Sequence, residues 1–375
     1  MKFTCNLAEI QEATNATIKV SSSSSPQIEL MGIYIVAKGD NVVLTCNNLE
    51  LSIEDTINAK VEEQGEIILH ARLFSDILNK LSGETVSIET KSNGDDSQIL
   101  TVKAGRSKFD LTSLTGNNFP TTPIVDSAYE VTIIADVLKD LIKSTAFAAG
   151  VLALGKRDLT GCLLEVTESC IRMVALDGYR LALCEYAITD KSSIGKVTIP
   201  AKSLTEWLKI APDEPIDVKI KASDKFVAFE YGNIRWTSRV IAGDFVDYNK
   251  IIPAEWKTTI TMPKARVQLA VERAATVILG DIAKAPISID ITADGLNFEC
   301  TTTAGNAEDM VNVAVNGDNF KIGFNHRFLL EALRNVHTED VKIEMISPHN
   351  PALITPIEKD DKKLKSLHLV LPVKL

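Results

Sequence analysis

The chain carries none of the short signatures that mark common enzyme chemistries. It has no Gly-x-x-x-x-Gly-Lys-Ser/Thr phosphate loop, no Gly-x-Gly-x-x-Gly, no Gly-x-Ser-x-Gly and no His-Glu-x-x-His. Histidine is scarce: His70, His326, His337, His349 and His368 show no metal-ligand spacing, and His70 and His326 sit where a helix would start and be capped. The six cysteines form no Cys-x-x-Cys pair and read as small buried hydrophobes in a reducing compartment. Long apolar runs are missing too. The longest, Ala146 to Leu154, is too short to span a bilayer and is interrupted by Gly150. The opening Met1, Phe3, Cys5 alternates like a strand and has no signal-peptide core. The expectation is a soluble cytoplasmic protein with no membrane contact, no metal, no cofactor and no catalytic role. A net charge of −10 argues against coating nucleic acid through bulk positive charge, though not against a locally basic surface.

What the chain does have is repetition. Ile67–Ile88, Val197–Val218 and Ile322–Ile343 align without gaps, and apolar residues fall in the same columns. Ile67, Val197 and Ile322 head the first; Phe74, Leu204 and Leu329 then Leu78, Leu208 and Leu333 form the middle; Leu81, Ala211 and Val336 follow. Spacing of two at both ends means strand, and i, i+3, i+4, i+7 spacing between them means one buried helix face. A second unit precedes each, since Phe3–Thr14, Val131–Ile142 and Ile260–Val271 align as a strand entering a helix. Asp76, Asp136, Glu206 and Glu331 recur in what should be early helix turns, where carboxylates favour the helix dipole.

Between the two units of each third lie strands, over Gly32–Ile53, Gly161–Ile188 and Ile287–Val315, broken by turns such as Lys38-Gly-Asp-Asn41 and Ala293-Asp-Gly295. Hairpins follow the second helix, with Ser92-Asn-Gly-Asp95 as the turn in the first third. The class is α+β, in three tandem domains of two strand–helix units and antiparallel sheets each. The domains run 1–126, 127–253 and 254–375, with boundaries after Asn118-Phe-Pro120 and Ile251-Ile-Pro253. Val20–Ser25 reads as a mobile loop and Lys359–Lys365 as a charged turn. Tandem like domains form an arc with unlike ends, and head-to-tail contact of such ends yields a ring if the rotation closes.

Two stretches depart from scaffold. Val174-Ala-Leu-Asp-Gly-Tyr-Arg-Leu-Ala182 enters a tight turn, and the matching Leu44–Asn48 and Cys300–Thr303 carry no Gly-Tyr-Arg. The terminal Leu367-His-Leu-Val-Leu-Pro-Val-Lys-Leu375 is apolar where termini usually are not. Together with Met1-Lys-Phe-Thr4 and Asp244-Phe-Val-Asp-Tyr248 leading to Ile252-Pro253, these residues resemble the bacterial DNA polymerase III β subunits, the processivity sliding clamps. The resemblance covers the whole chain in order.

The resemblance implies three DNA-clamp domains per chain, helices inside and sheets outside, and a head-to-tail homodimer ringing duplex DNA without reading its sequence. It implies partners in the polymerase III catalytic subunit, a clamp loader and other clamp-motif proteins, repair polymerases among them. The rival is a clamp-like adaptor that binds proteins without encircling DNA. By similarity, the partner-peptide pocket takes Leu159, Leu176, Gly178, Tyr179, Arg180, Leu181, Val246, Lys250, Ile251, Pro351, Leu369, Leu371, Pro372, Val373 and Lys374. Tyr179 stands where histidine is common, Val246 for a proline, and Lys250 and Lys374 for arginines, which shifts motif preference. The dimer edge takes Arg106, Lys108, Phe109 and Leu111 against Thr276, Val277, Glu308 and Asp309. A basic residue common near Ser24 is absent, and Lys139, Lys143, Lys202, Lys209, Arg266 and Arg273 are the candidates to face DNA.

Overall fold

The computed structural model describes residues 1–92, 98–114, 119–151, 157–188, 194–279, 285–357 and 364–375. Most of the Ser92–Asp95 turn, Asn118, the end of the 146–154 run and residues 359–363 of the charged turn lie outside them. The first repeat runs β1 (Lys2–Asn6), α1 (Leu7–Thr17), β2 (Gly32–Lys38), β3 (Asn41–Asn47), β4 (Leu51–Glu63), β5 (Gly65–His70), α2 (Ala71–Leu78), β6 (Thr85–Ser92), β7 (Gln98–Ala104), β8 (Ser107–Thr112). The second runs β9 (Tyr129–Ile134), α3 (Ala135–Thr145), β10 (Gly161–Val166), β11 (Cys170–Leu176), β12 (Arg180–Ala187), β13 (Gly195–Pro200), α4 (Ala201–Trp207), β14 (Asp217–Ala222), β15 (Phe226–Tyr231), β16 (Ile234–Arg239). The third runs β17 (Thr258–Pro263), α5 (Lys264–Ala274), β18 (Ile287–Thr292), β19 (Gly295–Thr302), β20 (Gly305–Asn312), β21 (Val315–Asn316), β22 (Phe320–Phe324), α6 (His326–Arg334), β23 (Asp340–Met345), β24 (Ala352–Pro356), β25 (Leu364–Val370). Apart from the short β21, the order is the same three times.

Each repeat folds into two four-stranded antiparallel sheets. In the first they are β8-β7-β6-β1 and β5-β2-β3-β4, and the other repeats follow the same plan. Sheets of neighbouring repeats then join edge to edge. β4 pairs with β16, Ser52 opposite Thr237, and β12 pairs with β25, Leu181 opposite Leu369. These seams set the compact units, which are residues 1–136 with 202–240, and 137–201 with 241–375. The middle repeat contributes one sheet to each unit.

In the first unit the apolar columns of α1 and α2 are buried, with Ile10, Phe74 and Leu78 fully shielded. Phe229 stacks on Trp236 at 4.6 Å and meets the edge of Trp207 at 5.6 Å, which closes the core around α4. In the second unit α5 and α6 pack on each other, burying Val267, Val271, Leu329 and Leu333. Among the described residues no helix is long and apolar enough to cross a membrane.

Three local expectations change. The helices end before Leu81, Ala211 and Val336, because the last carbonyls are taken by tighter i+3 bonds such as Leu81 N–H to Leu78 O at 3.1 Å. Leu81 and Val336 are buried by that turn rather than by helix. Of the four recurring carboxylates only Asp136 lies in a first turn. Asp76, Glu206 and Glu331 fall in last turns, where the dipole disfavours them, and Glu206 and Glu331 are paired to Lys209 and Arg180 instead. Finally, the serine run is anchored at its start, with Val20 buried and Ser22 N–H donating to Leu30 O at 2.9 Å, while Ser23 and Ser24 are exposed.

Candidate functional site

In the second unit, register places residues of distant segments in rows on one face of the sheet. Leu176 faces Leu181 across β11 and β12, Leu181 faces Leu369 on β25, and Leu369 faces Leu353 on β24. Two residues further along, Leu163, Val174, Leu183 and Leu367 make a second row. Directly opposed side chains in such ladders touch. With Leu159 and Tyr248 the rows form one apolar cluster, against which Phe245, Ile251, Ile252 and Trp256 pack.

The β11–β12 corner limits this face. Gly178 adopts a φ of +92°, which a Cβ would resist. Asp177 Oδ1 accepts from the backbone N–H of Tyr179 at 2.9 Å and of Arg180 at 3.0 Å, while its Oδ2 accepts from Arg180 Nε at 3.0 Å. Arg180 is largely buried; it donates to Phe147 O at 2.7 Å and to the Glu331 carboxylate of α6. Its guanidinium lies 4.6 Å from the Phe328 ring centre and 5.4 Å from that of Phe147. Tyr179 stacks on Phe328 at 6.0 Å yet stays 54% exposed, so an aromatic face is offered to solvent.

The tail continues the seam. Leu371 N–H donates to Tyr179 O at 2.9 Å, and Val373 N–H to Gly323 O at 2.8 Å. A Cβ at Gly323 would come within 2.8 Å of Val373 O, so the glycine lets the tail lie against β22. Beside it opens a cavity of 480 Å³ between Lys321–Gly323, Pro348–His349 and Pro372–Leu375. On the opposite face of β25, His368 is buried 5.6 Å from the Phe147 ring with no hydrogen-bond partner, and burial lowers its pKa to about 3.

Of the predicted pocket, Leu159, Leu176, Leu181 and Leu369 share the cluster, Ile251 borders it, and Gly178, Tyr179, Arg180, Leu371, Pro372 and Val373 line its corner and tail. Pro351 immediately precedes β24, whose Ala352 faces Val370. Val246 is exposed, Lys250 turns to Asp247 at 3.0 Å, and Lys374 is exposed. Phe147, Phe328, Glu331, Gly323 and Tyr248 also build the site, and sequence reasoning missed their roles. A buried arginine needs partners, and that signal could have led only to Glu331, Phe147 and Phe328.

Of the predicted dimer residues, Lys108, Phe109 and Leu111 lie on a sheet-edge strand of the first unit, and Glu308 and Asp309 on one of the second. β8 ends its sheet, with Arg106 in the hairpin turn and Lys108 paired to Asp110 at 2.8 Å. Phe109 is 37% exposed, but Leu111 turns inward and is buried, so Phe109 alone presents apolar area. β20 ends the other sheet and exposes Met310. There Glu308 accepts from Asn297 at 2.9 Å, and Asp309 is held by Arg273 at 2.6 Å; Thr276 and Val277 follow α5. Among the candidate DNA-facing bases, Arg266 donates to Asn312 O and Lys209 binds Glu206, whereas Lys143 and Lys202 are exposed; Lys139 lies on α3.

Three repeats, each of two helices and two antiparallel sheets, define the β-clamp class of fold. Family models for the DNA polymerase III beta subunit match in order: the N-terminal domain over residues 1–123, the central domain over 132–247 and the C-terminal domain over 249–373. The beta sliding clamp of Bacillus subtilis is 30% identical over 393 residues, covering all of both chains. The solved sliding clamp from Bacillus subtilis superposes with a TM-score of 0.90 at 28% identity over 100% of this chain and 99% of that one. The Pseudomonas aeruginosa clamp bound to griselimycin gives 0.91 at 27% identity over all of both chains. The chain belongs to the DNA polymerase III beta subunit family, the beta sliding clamps.

Proposed function

We propose that this protein is a non-catalytic cytoplasmic DNA clamp, a homodimer that encircles duplex DNA and tethers polymerases through the site on its second unit. One observation carries this reading. Among the described residues, equivalent strands pair twice, β4 with β16 and β12 with β25, and the third equivalent couple, β20 and β8, forms two sheet edges with no strand partner. Exposed edges invite pairing. Closing this third seam between two chains, β20 of one to β8 of the next, gives a heterologous contact that repeats head to tail and closes as a dimer ring. Domains of 1–126, 127–253 and 254–375 then supply six like segments with helices toward the hole, and Lys143 and Lys202 are free to meet phosphate.

The rows of leucine beside an exposed Tyr179, with a further cavity along the tail, suit a short apolar peptide, since such anchors need an apolar floor and a few orienting polar groups. Polymerase III catalytic subunit, clamp loader and other clamp-motif proteins would share it in turn. Averaged electron micrographs test the assembly. A six-segment ring with a hole about 20 Å or more across, wide enough for duplex DNA, is expected. Monomeric arcs at micromolar concentration would contradict it.

A further inference from the structure

A third row borders the two apolar ones. Glu165, Arg172 and Glu185 are direct cross-strand partners on β10, β11 and β12, on the same face as Leu163, Val174 and Leu183. Arg172 donates Nε and Nη2 to Glu185 at 2.9 and 2.7 Å, and Nη1 reaches Glu165 at 3.4 Å. Both pairs are mostly shielded, so the row is a fixed polar rail rather than a solvated face.

One side chain from the connecting segment reads both the rail and the leucines. Tyr248 is buried with its ring in the leucine cluster. Its hydroxyl donates to Glu165 Oε2 at 2.8 Å and accepts from Arg172 Nη1 at 2.9 Å. The described segment around it, from Ile241 to Trp256, has no strand, and its only helical turn is Tyr248–Lys250. That turn holds Ile251 N–H to Tyr248 O at 3.0 Å. Val246, Lys250 and Ile251, which border the site, are thus carried on a segment whose deepest side chain is Tyr248, with Ile241 buried at its start.

We infer that Tyr248, clamped by the Glu165–Arg172–Glu185 rail, is a positioning residue that presets the 244–252 segment for partner binding without touching the partner. This rests on the proposed function of the site. The physical reason is preorganisation: a strandless segment fixed beforehand loses little freedom when a partner orders it. The phenol suits the task because only it offers ring and hydroxyl together; Phe keeps the ring's packing and removes both polar contacts.

The test uses full-length protein and immobilised polymerase III catalytic subunit. Tyr248→Phe should weaken binding about tenfold, the loss expected of a hydrogen bond to charged groups. Amide exchange should quicken across 244–252 while β11 and β12 stay as in the wild type. Glu165→Gln, which keeps an acceptor, should bind nearly normally, and Glu165→Ala should match Tyr248→Phe. The double variant should be no worse than either single one, because both cut the same clamp. Wild-type affinity in Tyr248→Phe, or additive losses with faster exchange throughout the unit, would overturn the positioning role. If the wild-type protein itself fails to bind the polymerase, the site's proposed function falls first and this inference with it.

Discussion

At the seam of β4 with β16 the entering corner turns on Asn47 and Asn48, whose side chains accept from the N–H groups of Leu49 and of Glu50 and Leu51. At the seam of β12 with β25 it turns on Asp177 and Gly178. Each corner is tied by an arginine, but differently. Arg239 donates to Leu49 O at 2.7 Å from an exposed position, leaving a void of only 20 Å³ nearby. Arg180 is buried among Asp177, Glu331, Phe147 and Phe328, and the apolar tail that follows β25 lines a cavity of 480 Å³. The same architecture thus serves once as a joint alone and once as a joint beside the proposed site. What differs is a few side chains at the corner and the tail laid across Gly323.

That contrast can be broken from several sides. The largest effect should come from deleting Pro372–Leu375, which removes tail and cavity wall but no strand. Polymerase binding should fall by about 2 kcal/mol or more, as lost interface anchors do, with little change in melting temperature. Leu49→Ala at the other corner should leave binding untouched, as calorimetry of both variants would register.

Next is the unmade third seam. Phe109→Ala with Met310→Ala strips apolar area from both free edges and should shift sedimentation toward monomer at low micromolar concentration. Exposed charges such as Lys108 set register and rate more than affinity, so Lys108→Ala should leave the mass unchanged. A dimer that survives the apolar pair would place its interface elsewhere.

Arg180→Ala should destabilise the protein by roughly 2–3 kcal/mol, because it leaves a buried carboxylate and stacked rings without their partner. Arg239→Ala, at an exposed bond, should cost under about 1 kcal/mol. Urea melts of the two variants separate these values.

The smallest effect is a pH response of opposite sign in the two units. Asp55 on β4 is buried, and burial with Glu9 and Glu12 nearby raises its pKa to about 6. The folded first unit therefore holds more protons than the unfolded chain, and gains stability as pH falls from 7 through 6. His368 on β25 is lowered to about 3 by burial, with His337 adding to it. There the unfolded chain holds more protons, and the second unit loses stability as pH falls below about 6.5. Amide exchange corrected for intrinsic rates should slow on β16 by about 1 kcal/mol and quicken on β12 by about 2 kcal/mol between pH 7 and 5. Asp55→Asn and His368→Gln should each abolish one trend alone.

Much of the fold was legible because each repeat buries the same columns: Phe74, Leu204 and Leu329 are all core. Helix ends were not, since a buried Leu81 looks the same in sequence whether a helix or a turn shields it. Asp76, Glu206 and Glu331 misled for a related reason, as a recurring carboxylate gives no hint of which end of a short helix it occupies. The Gly178 corner stood out because one repeat alone had it. Tyr248 and Glu331 did not, because their partners lie far away in sequence and only strand register brings them together.

A ring of this kind holds DNA topologically. A protein of net charge −10 gains little from counterion release, and direct phosphate contacts would weaken steeply with salt. A closed ring leaves only by opening a seam or sliding off an end. The most direct measurement loads the protein on nicked circular DNA with a clamp loader and ATP, raises the salt, and then cuts the circle. Retention on the circle and rapid release on linearisation are expected. Equal release from circle and line, as an adaptor that does not encircle DNA would give, would contradict it.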